Sequence, residues 1–376
     1  MKAAGPRREG SGLRIAINAL TLPASLAGTG FYLRKLAEHM LRREPDLDIT
    51  VFTNRGAAAG LADLSGVSIR PVDAPNVAAK ALWATAVLPF RLSGFDLVHS
   101  IGNVGLPRSP IPQVVTIHDL CQREVPERFG AAKRAWLNLG QGWSARAAAR
   151  VITVSESTRR DLLKYYPGYA PKTATIHEAS KFAIDRGEAG RRGGFLFVGT
   201  LEPGKRLDWA IEAVARLRDR HGIAKRLSVV GARGWRQTGL PDLISRLGAA
   251  DLIEFKGYVG DEELRRLYGG AEAMIFPSAY EGFGLPILEA QSQGCPVIAA
   301  DNSSLREVGG EDACHYFPTH DRDVLLAHLA RSQREPEAFG AIREAGFRNC
   351  LRFDWDRTAA ATLEEYRRAL GTPQPV

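Results

Sequence analysis

Residues 280–290 read YEGFGLPILEA and follow a short apolar run, AMIFPS, at 273–278. The run is typical of a buried strand, and the apolar stretch after Pro286 is typical of a helix. Gly282 and Gly284 allow backbone N–H groups to approach a ligand closely. The N-terminus of the following helix carries a partial positive charge, which favours a phosphate at the same place. This stretch therefore predicts an open α/β sheet with a ligand site at the carboxyl ends of its strands.

Strand and helix signals alternate on both sides of this segment. Short strands are predicted at 13–18, 49–53, 95–99, 114–118, 151–154, 194–199, 227–231, 253–255, 273–276 and 296–299, and helices at 31–43, 131–150 and 207–220. A polar, Gly-rich break at 185–194 separates two such series and suits a linker. We therefore expect an α/β protein with two doubly wound domains, at 13–185 and 190–354, on either side of a cleft.

Composition is that of an ordinary globular protein: 376 residues, 45% of them hydrophobic and 24% charged. No apolar run reaches the roughly 18 residues of a membrane span. The first residues are polar and lack a signal-peptide core, so 1–12 are predicted to be a disordered tail. The 4 cysteines form no CxxC pair and have no accompanying histidine cluster. Reduced thiols in a cytoplasmic protein are therefore favoured over a zinc site or a disulfide framework.

Four side chains are candidates for chemistry. Glu281 and Glu289 are about two helical turns apart, so both carboxylates face the cleft if the helix begins early. Lys205 lies at a helix start, where a cation opposes the helix dipole unless an anion binds there. Such a lysine can neutralise a diphosphate leaving group. His118 ends a buried strand, and a lone histidine in such a place is more often structural than functional.

The strings around these residues resemble the retaining glycosyltransferases of family 4, which include bacterial mannosyltransferases. EGFGLPILEA at 281–290, GTLEPGKR at 199–206 and TIHDL at 116–120 carry the resemblance. It implies a GT-B architecture, with two Rossmann-like domains facing a central cleft, the first binding the acceptor and the second the nucleotide sugar. It also implies that the last helix, at about 355–370, packs back on the first domain.

The resemblance also implies the roles of the site residues. Three residues are implied to be catalytic. His118 hydrogen-bonds the donor sugar, Glu281 contacts the transferred sugar, and Lys205 binds the diphosphate. Glu289 is implied to bind the ribose. Gly204 stands where the family has an arginine, and Arg206 is the candidate replacement. The predicted donor-binding residues are Gly28, Gly30, Gly199, Thr200, Arg206, Gly231, Tyr258, Val259, Gly282, Phe283, Gly284, Leu285 and Glu289.

One glycine segment fits two interpretations. Gly28 and Gly30 match the family's first glycine loop, but a simple tight turn explains them nearly as well. The segment is no dinucleotide fingerprint, because Leu33 stands where the third glycine is required.

These residues predict a retaining hexosyltransferase that needs no metal and no cofactor, since no Asp-x-Asp pair lies in a loop that would hold a divalent ion for a sugar nucleotide. GDP-mannose is the first expected donor, and a saccharide or lipid-linked acceptor in bacterial polysaccharide or glycan assembly is the expected partner. A nucleotide-sugar epimerase of the same architecture and a non-catalytic sugar-nucleotide-binding protein remain alternatives. Nucleic acid is disfavoured because aromatic residues do not alternate with the basic clusters.

Charge is unevenly divided along the chain. Residues 1–180 contain 23 Lys and Arg against 14 Asp and Glu, a net of +9, while 181–376 contain 27 against 28, a net of −1. The N-terminal half is therefore expected to meet an anionic, lipid-linked acceptor at the inner face of the plasma membrane. Trp136, Leu137 and Leu139 beside Lys133 and Arg134 suit an interfacial helix. Ordinary solvated charge, with Trp136 in the core, is the alternative.

Overall fold

The computed structural model describes residues 12–23, 28–187, 193–232 and 239–371. The chain divides into two compact units, one formed by Met1–Glu178 with Asp354–Val376 and the other by Ala179–Phe353. The predicted tail, apart from Gly12, lies outside the described residues, as does the middle of the predicted linker at 188–192. No helix in the described ranges has both the length and the apolar character needed to cross a membrane.

Strands and helices alternate through both units. The strands are β1 (Arg14–Ala19), β2 (Asp48–Asn54), β3 (Val67–Val72), β4 (Leu97–Ser100), β5 (Gln113–Ile117), β6 (Arg150–Thr153), β7 (Thr173–Thr175), β8 (Phe195–Val198), β9 (Leu227–Val230), β10 (Ile253–Gly257), β11 (Ala273–Phe276), β12 (Val297–Ala300) and β13 (His315–Phe317).

The helices are α1 (Thr29–Arg43), α2 (Arg55–Ala59), α3 (Val77–Leu82), α4 (Leu88–Arg91), α5 (Cys121–Glu124), α6 (Ala131–Ala147), α7 (Glu156–Tyr165), α8 (Leu207–His221), α9 (Leu240–Arg246), α10 (Asp261–Gly270), α11 (Leu285–Ser292), α12 (Leu305–Gly309), α13 (Arg322–Arg334), α14 (Pro336–Cys350) and α15 (Trp355–Leu370). A π-helical turn at Trp83–Val87 joins α3 to α4.

Each unit is built on a parallel sheet. Among the described residues, the first sheet has the order β3-β2-β1-β4-β5-β6-β7 and the second the order β10-β9-β8-β11-β12-β13. The central strands β8, β11 and β12 are apolar and buried along their whole length, as expected when helices cover both faces of a parallel sheet. Strand β4 is equally buried but ends in two polar residues, His99 and Ser100. The α/β class and the two Rossmann-like units are therefore confirmed.

Three strands were not predicted, and each lies at an edge of its sheet. β3 is largely exposed and contains Pro71, which a strand tolerates at an edge because one side of it needs no ladder hydrogen bond. β7 and β13 have only 3 residues each, too few for a periodic pattern. The helix predicted at 131–150 ends instead at Ala147, because Arg150 already begins β6.

The boundary between the units lies earlier than the predicted linker. Phe182 packs into the core of the second unit. The amide of Asp185 donates to the Ser292 carbonyl at 2.8 Å, and the Gln293 side chain donates to the Ala183 carbonyl at 2.9 Å. The division therefore falls after Glu178 and before the predicted boundary at 185, because these contacts tie the segment after Glu178 to the second unit.

Helix α15 packs in the first unit. Its Tyr366 is fully buried, and the tyrosine hydroxyl hydrogen-bonds the Nδ1 of His99 at 2.7 Å. The other ring nitrogen of His99 contacts the Thr116 hydroxyl at 2.8 Å. Burial, with a smaller effect from the charge of His118, lowers the pKa of His99 to about 3, so this ring is neutral. The C-terminal helix is thus part of the first unit's core.

Candidate functional site

The second sheet reverses its strand order between β8 and β11. In open α/β sheets this reversal opens a crevice at the carboxyl ends of the strands, where ligands bind. The predicted donor-binding residues of this unit that follow the strands at that edge are Gly199, Thr200 and Arg206 after β8, Gly231 after β9, Tyr258 and Val259 after β10, and Gly282, Phe283, Gly284 and Leu285 after β11. The sheet topology therefore brings residues from four loops to one edge.

Two predicted catalytic side chains meet at this reversal. Lys205, after β8, donates from Nζ to Oε1 of Glu281, after β11, at 2.5 Å. The side chains are 19% and 14% exposed, so the pair is largely shielded but still reachable from solvent. The two loops are also joined through the backbone, because the amide of Ala279 donates to the Gly204 carbonyl at 2.9 Å. A cation and a hydrogen-bond acceptor are therefore held side by side at the switch point.

The loop that carries Glu281 is fastened by two serines after β12. The Glu281 amide donates to the Ser303 hydroxyl at 3.0 Å. The Ser304 hydroxyl donates to the Glu281 carbonyl at 3.0 Å and to the Phe283 carbonyl at 2.8 Å. Ser304 is fully buried. These contacts fix the loop backbone and therefore the position of the Glu281 side chain.

Close backbone packing explains the glycine at the end of β9. A Cβ atom on Gly231 would lie 1.9 Å from the Gly199 carbonyl oxygen, so no other residue fits there. The Gly199 amide donates to the Val230 carbonyl at 3.0 Å, which ties the ends of β8 and β9 together. The glycine at 231 is therefore required by the contact between the ends of these two strands.

Helix α11 starts at the same edge. Gly284 precedes it with a φ of 104°, a left-handed conformation that favours glycine, and no side chain caps the helix. The uncapped amides and the helix dipole favour an anion at this end. Gly282 and Leu285 are half-buried beside it, whereas Phe283 is buried and packs edge-on against Phe353. The loop thus offers backbone groups to a ligand, and the phenyl ring anchors it from behind.

Glu289 lies one turn into α11 and is 8% exposed. Its Oε2 accepts a hydrogen bond from the hydroxyl of Tyr268 at 3.0 Å, and its Oε1 lies 4.0 Å from Nζ of Lys181. Burial raises the pKa of Glu289, against the opposing effects of Lys181 and Tyr268. Because α11 begins only at Leu285, Glu281 lies outside the helix, and the expectation that two helical turns align the carboxylates was wrong.

Other predicted donor-binding residues differ in exposure. Arg206 donates from Nη1 to the Thr319 carbonyl at 3.0 Å, and its guanidinium lies over the Trp209 ring at 4.6 Å. Tyr258 is 74% exposed, while Val259 packs against the unit's core. Residues 233–238, which follow the predicted donor-binding Gly231 closely in the chain, lie outside the described residues.

His118 follows β5 in the first unit. Its Nδ1 contacts Oε1 of Glu178 at 3.0 Å and its Nε2 contacts the Ile101 carbonyl at 2.9 Å. Burial favours the neutral ring, but Glu178, the Ile101 carbonyl and Asp119 outweigh it and raise the pKa of His118. Since both ring nitrogens face acceptors, both carry protons when the contacts are made. These contacts therefore favour the protonated ring over the neutral one.

The first glycine segment forms a helix start. Gly28 precedes α1 with a φ of 56°, and its carbonyl accepts from the Tyr32 amide at 2.9 Å. Gly30 is buried in the first turn of α1. Both glycines follow β1, where the first sheet reverses its order between β1 and β4.

Asp-x-Asp sequences stand at 46–48, 321–323 and 354–356, and the last two have structural partners. Asp321 and Asp354 cap α13 and α15. Asp356 contacts His39 at 2.6 Å. Within the described ranges, no three His, Cys, Asp or Glu side chains are grouped so that they could hold a metal ion.

Five partner residues were not assigned a role from the sequence. Tyr268, Lys181 and Glu178 contact site residues from distant points in the chain, and nothing in their local sequence indicates it. Ser303 and Ser304 begin the string SSLREV at 303–308, which is similar to a family segment, and that similarity is the one local signal for them.

Comparison with known proteins identifies the fold and the family. Residues 26–179 match the model Glycosyltransferase Family 4, and residues 182–344 match the model Glycosyl transferases group 1. The chain is 28% identical to O-antigen chain mannosyltransferase B of Escherichia coli over 284 residues, which cover 72% of this chain and 74% of that protein.

Solved structures share the fold at low identity. Sucrose-phosphate synthase from Thermosynechococcus elongatus has a TM-score of 0.78 and 18% identity, over 96% of this chain and 99% of that chain. Anabaena Alr3699/HepE in complex with UDP and glucose has a TM-score of 0.76 and 16% identity, over 94% and 99%. With the two parallel-sheet units and the family matches, these results show that the chain belongs to the GT-B glycosyltransferases of family 4.

Proposed function

We propose that the protein transfers a hexose from a nucleoside diphosphate sugar to a saccharide or lipid-linked acceptor, with retention of the anomeric configuration. The contact between Lys205 and Glu281 at the strand-order reversal carries the proposal. A diphosphate requires a cation and helix amides, and a sugar hydroxyl requires an acceptor. Both requirements are met side by side in loops that the Ala279–Gly204 and Ser304 contacts hold in place.

Each group has a proposed role. Lys205 and the N-terminus of α11 neutralise the charge that develops on the leaving diphosphate. Glu281 accepts a hydrogen bond from the transferred sugar, and Glu289 accepts one from the ribose. His118 is proposed to contact the sugar, as the family resemblance implies, while Glu178 contacts the Nδ1 atom of the ring. Metal independence is part of the proposal, since these groups supply the positive charge that a bound ion would otherwise provide.

Retention is proposed without a protein nucleophile. A retaining glycosidase needs two carboxyl groups that flank the sugar. Here Glu281 bonds Lys205 and Glu289 bonds Tyr268, so both serve as binding groups. The bond from the anomeric carbon to the diphosphate breaks, and the acceptor oxygen bonds to the same face. The acceptor proton passes to an oxygen of the leaving diphosphate.

Mannose is proposed as the sugar and GDP-mannose as the donor. The name of the Escherichia coli relative, an O-antigen chain mannosyltransferase, supports this choice and also bacterial polysaccharide as the acceptor class. The Anabaena protein was solved with UDP and glucose, so UDP-glucose is the comparison donor.

The test begins with both donors and measures binding and turnover separately. Thermal stabilisation ranks GDP, UDP and their sugar conjugates, because a ligand of the native state raises the melting temperature. Nucleoside diphosphate release and mass spectrometry of the products then follow, with a pool of bacterial saccharides as acceptors. A transferase releases the diphosphate and lengthens an acceptor. An isomeric sugar nucleotide without release would indicate an epimerase, and binding without turnover would indicate a non-catalytic protein.

Matched variants separate the site from general damage. Glu281→Gln should reduce turnover by about 100-fold or more, as loss of a group aimed at the reacting centre does. Glu272→Gln is the control, because Glu272 also pairs with a lysine, Lys225, but precedes β11 at the opposite edge of the sheet. Equal turnover in the two variants would contradict the role of Glu281.

We also propose a peripheral contact of α6 with an anionic membrane. Leu139 and Trp143 are 54% and 55% exposed and lie one turn apart on the same face of the helix. Lys133 and Arg134 are exposed at its start, and Trp136 is half-buried. Exposed apolar residues beside basic ones suit a membrane surface, where each cation contributes about 1 kcal/mol.

Other basic residues of the first unit are less suited to this contact. Four of them are paired with acidic residues of the same unit: Arg34 with Asp63, Lys35 with Glu38, Arg159 with Glu156 and Lys164 with Glu124. Their charge is partly neutralised, so α6 is the stronger candidate surface.

A further inference from the structure

We infer that Tyr268 is a positioning residue for Glu289: its hydroxyl holds Oε2 of the carboxylate and leaves Oε1 to accept the ribose of the nucleotide. This inference rests on the proposed function, because it takes Glu289 as the residue that binds the ribose. It adds which oxygen does so and which buried group orients it.

The geometry around Oε2 is that of a fixed contact. Tyr268 lies near the end of α10 and is fully buried, with its ring packed edge-on to Phe182. Its hydroxyl lies 3.0 Å from Oε2 of Glu289. Burial, and then the neighbouring Glu289, raise the pKa of Tyr268 well above its ordinary value, so the hydroxyl keeps its proton and donates it. A rigid donor on one oxygen limits rotation of the carboxylate.

The other oxygen has a different environment. Nζ of Lys181 is the cation near Oε1, but at 4.0 Å it is too far away for a hydrogen bond. The same ammonium group bonds Oδ1 of Asp261 at 2.8 Å. In the part of the chain that the structure describes, Oε1 of Glu289 has no hydrogen-bond donor. It is therefore the oxygen that remains to accept a hydroxyl group of the nucleotide.

The two oxygens thus have separate tasks. With the Tyr268 hydroxyl in place, the carboxylate reaches the nucleotide in one orientation. Without it, Oε2 lacks its donor, and the carboxylate either rotates or takes up water. The cost should then appear in the contact with the ribose hydroxyls and not in the contacts with the diphosphate.

The experiment is a titration of Tyr268→Phe with GDP, UDP and their 2′-deoxy and 3′-deoxy forms, by calorimetry on the full chain. The variant keeps the ring and removes only the hydroxyl. We expect it to weaken the better-binding ribonucleotide about tenfold, the usual effect of losing one hydrogen bond to a charged group. At least one deoxy form should bind wild type and variant within about twofold of each other, because the affected contact is already missing.

Tyr366→Phe is the matched control. Tyr366 is equally buried and also hydrogen-bonds a side chain, His99, but it belongs to the first unit. This variant should bind every nucleotide as the wild type does. A purely structural effect of Tyr268→Phe would weaken the ribo and deoxy forms equally and would overturn the inference, as would wild-type affinity for all of them.

Glu289→Gln separates this inference from the proposed function. If Glu289→Gln still distinguishes ribo from deoxy nucleotides as the wild type does, Glu289 does not hold the ribose, and both claims about it fail. If that variant loses the distinction while Tyr268→Phe keeps it at wild-type affinity, the ribose assignment stands and only the role of Tyr268 is overturned. Loss of the distinction in both variants supports the inference.

Discussion

Replacing Lys205 with methionine tests the charge balance at the site. In the wild type the ammonium group of Lys205 lies 5.9 Å from the centre of the Phe276 ring. Methionine keeps an apolar side chain of similar length beside that ring. It removes the positive charge that contacts Glu281 at 2.5 Å. The change therefore affects the ion pair and the proposed diphosphate contact, with little loss of packing.

The magnitude follows from the structure. A hydrogen bond to a charged group contributes about 1.5–3 kcal/mol. In the free protein Lys205 already bonds Glu281, so a diphosphate must share the ammonium group with that carboxylate, and the net gain lies at the lower end of this range. Lys205→Met should therefore weaken GDP binding about tenfold, since about 1.4 kcal/mol is a factor of ten. Guanosine, which has no phosphate, should bind within about twofold of the wild type.

Glu281→Gln provides the opposite perturbation. It removes a negative charge beside the proposed diphosphate and frees Lys205, so GDP should bind as tightly as to the wild type or several-fold more tightly while turnover falls. Lys225→Met is the control, because Lys225 forms a similar pair with Glu272 ahead of β9 and should not affect GDP. Calorimetry on the wild type and the three variants measures the affinity of each for GDP and for guanosine. Equal weakening of both ligands by Lys205→Met would refute the reasoning, as would weaker GDP binding in Glu281→Gln.

Three further expectations concern pH, metal and membrane. The pKa of His118 should lie above the ordinary value of 6.5, because the contact with Glu178 outweighs the effect of burial. The stabilisation of the folded protein by protonated His118 is complete below about pH 6.5 and is lost as pH rises through the folded-state pKa. NMR titration should show a lower His118 pKa in Glu178→Gln, and an unchanged value would contradict this. EDTA should leave the transfer rate unchanged, and a loss that manganese or magnesium restores would argue against metal independence. Co-sedimentation with anionic vesicles should weaken with salt and when Lys133 and Arg134 are both changed to Glu, whereas equal recovery with neutral vesicles would exclude the α6 contact.

Local patterns predicted the fold well. The central strands are continuous apolar runs, and each is followed by glycine or polar residues, so their sequences indicate a buried parallel sheet. The edge strands β3, β7 and β13 were missed because an edge position relaxes both length and hydrophobicity. The unit boundary was misplaced because a polar, Gly-rich composition indicates a turn but does not show which unit the flanking residues pack against.

The candidate site was only partly predictable. Loop residues such as Glu281 and Lys205 stand in motifs next to predicted strands, so their shared edge follows from parallel topology. Their direct contact does not follow, because it depends on which strands are neighbours. The partners Tyr268 and Glu178 act through contacts between elements that are far apart in the chain, and only the folded structure reveals them.

The most direct test of the account is the anomeric configuration of the transferred sugar. Purified protein is incubated with GDP-α-mannose and a saccharide acceptor, or with UDP-α-glucose if that donor binds better, and the anomeric protons are followed by NMR. Transfer with retention should release nucleoside diphosphate together with an α-linked product. A β-linked product would contradict retention, and a donor that binds but is never cleaved in the presence of acceptors would contradict glycosyl transfer itself.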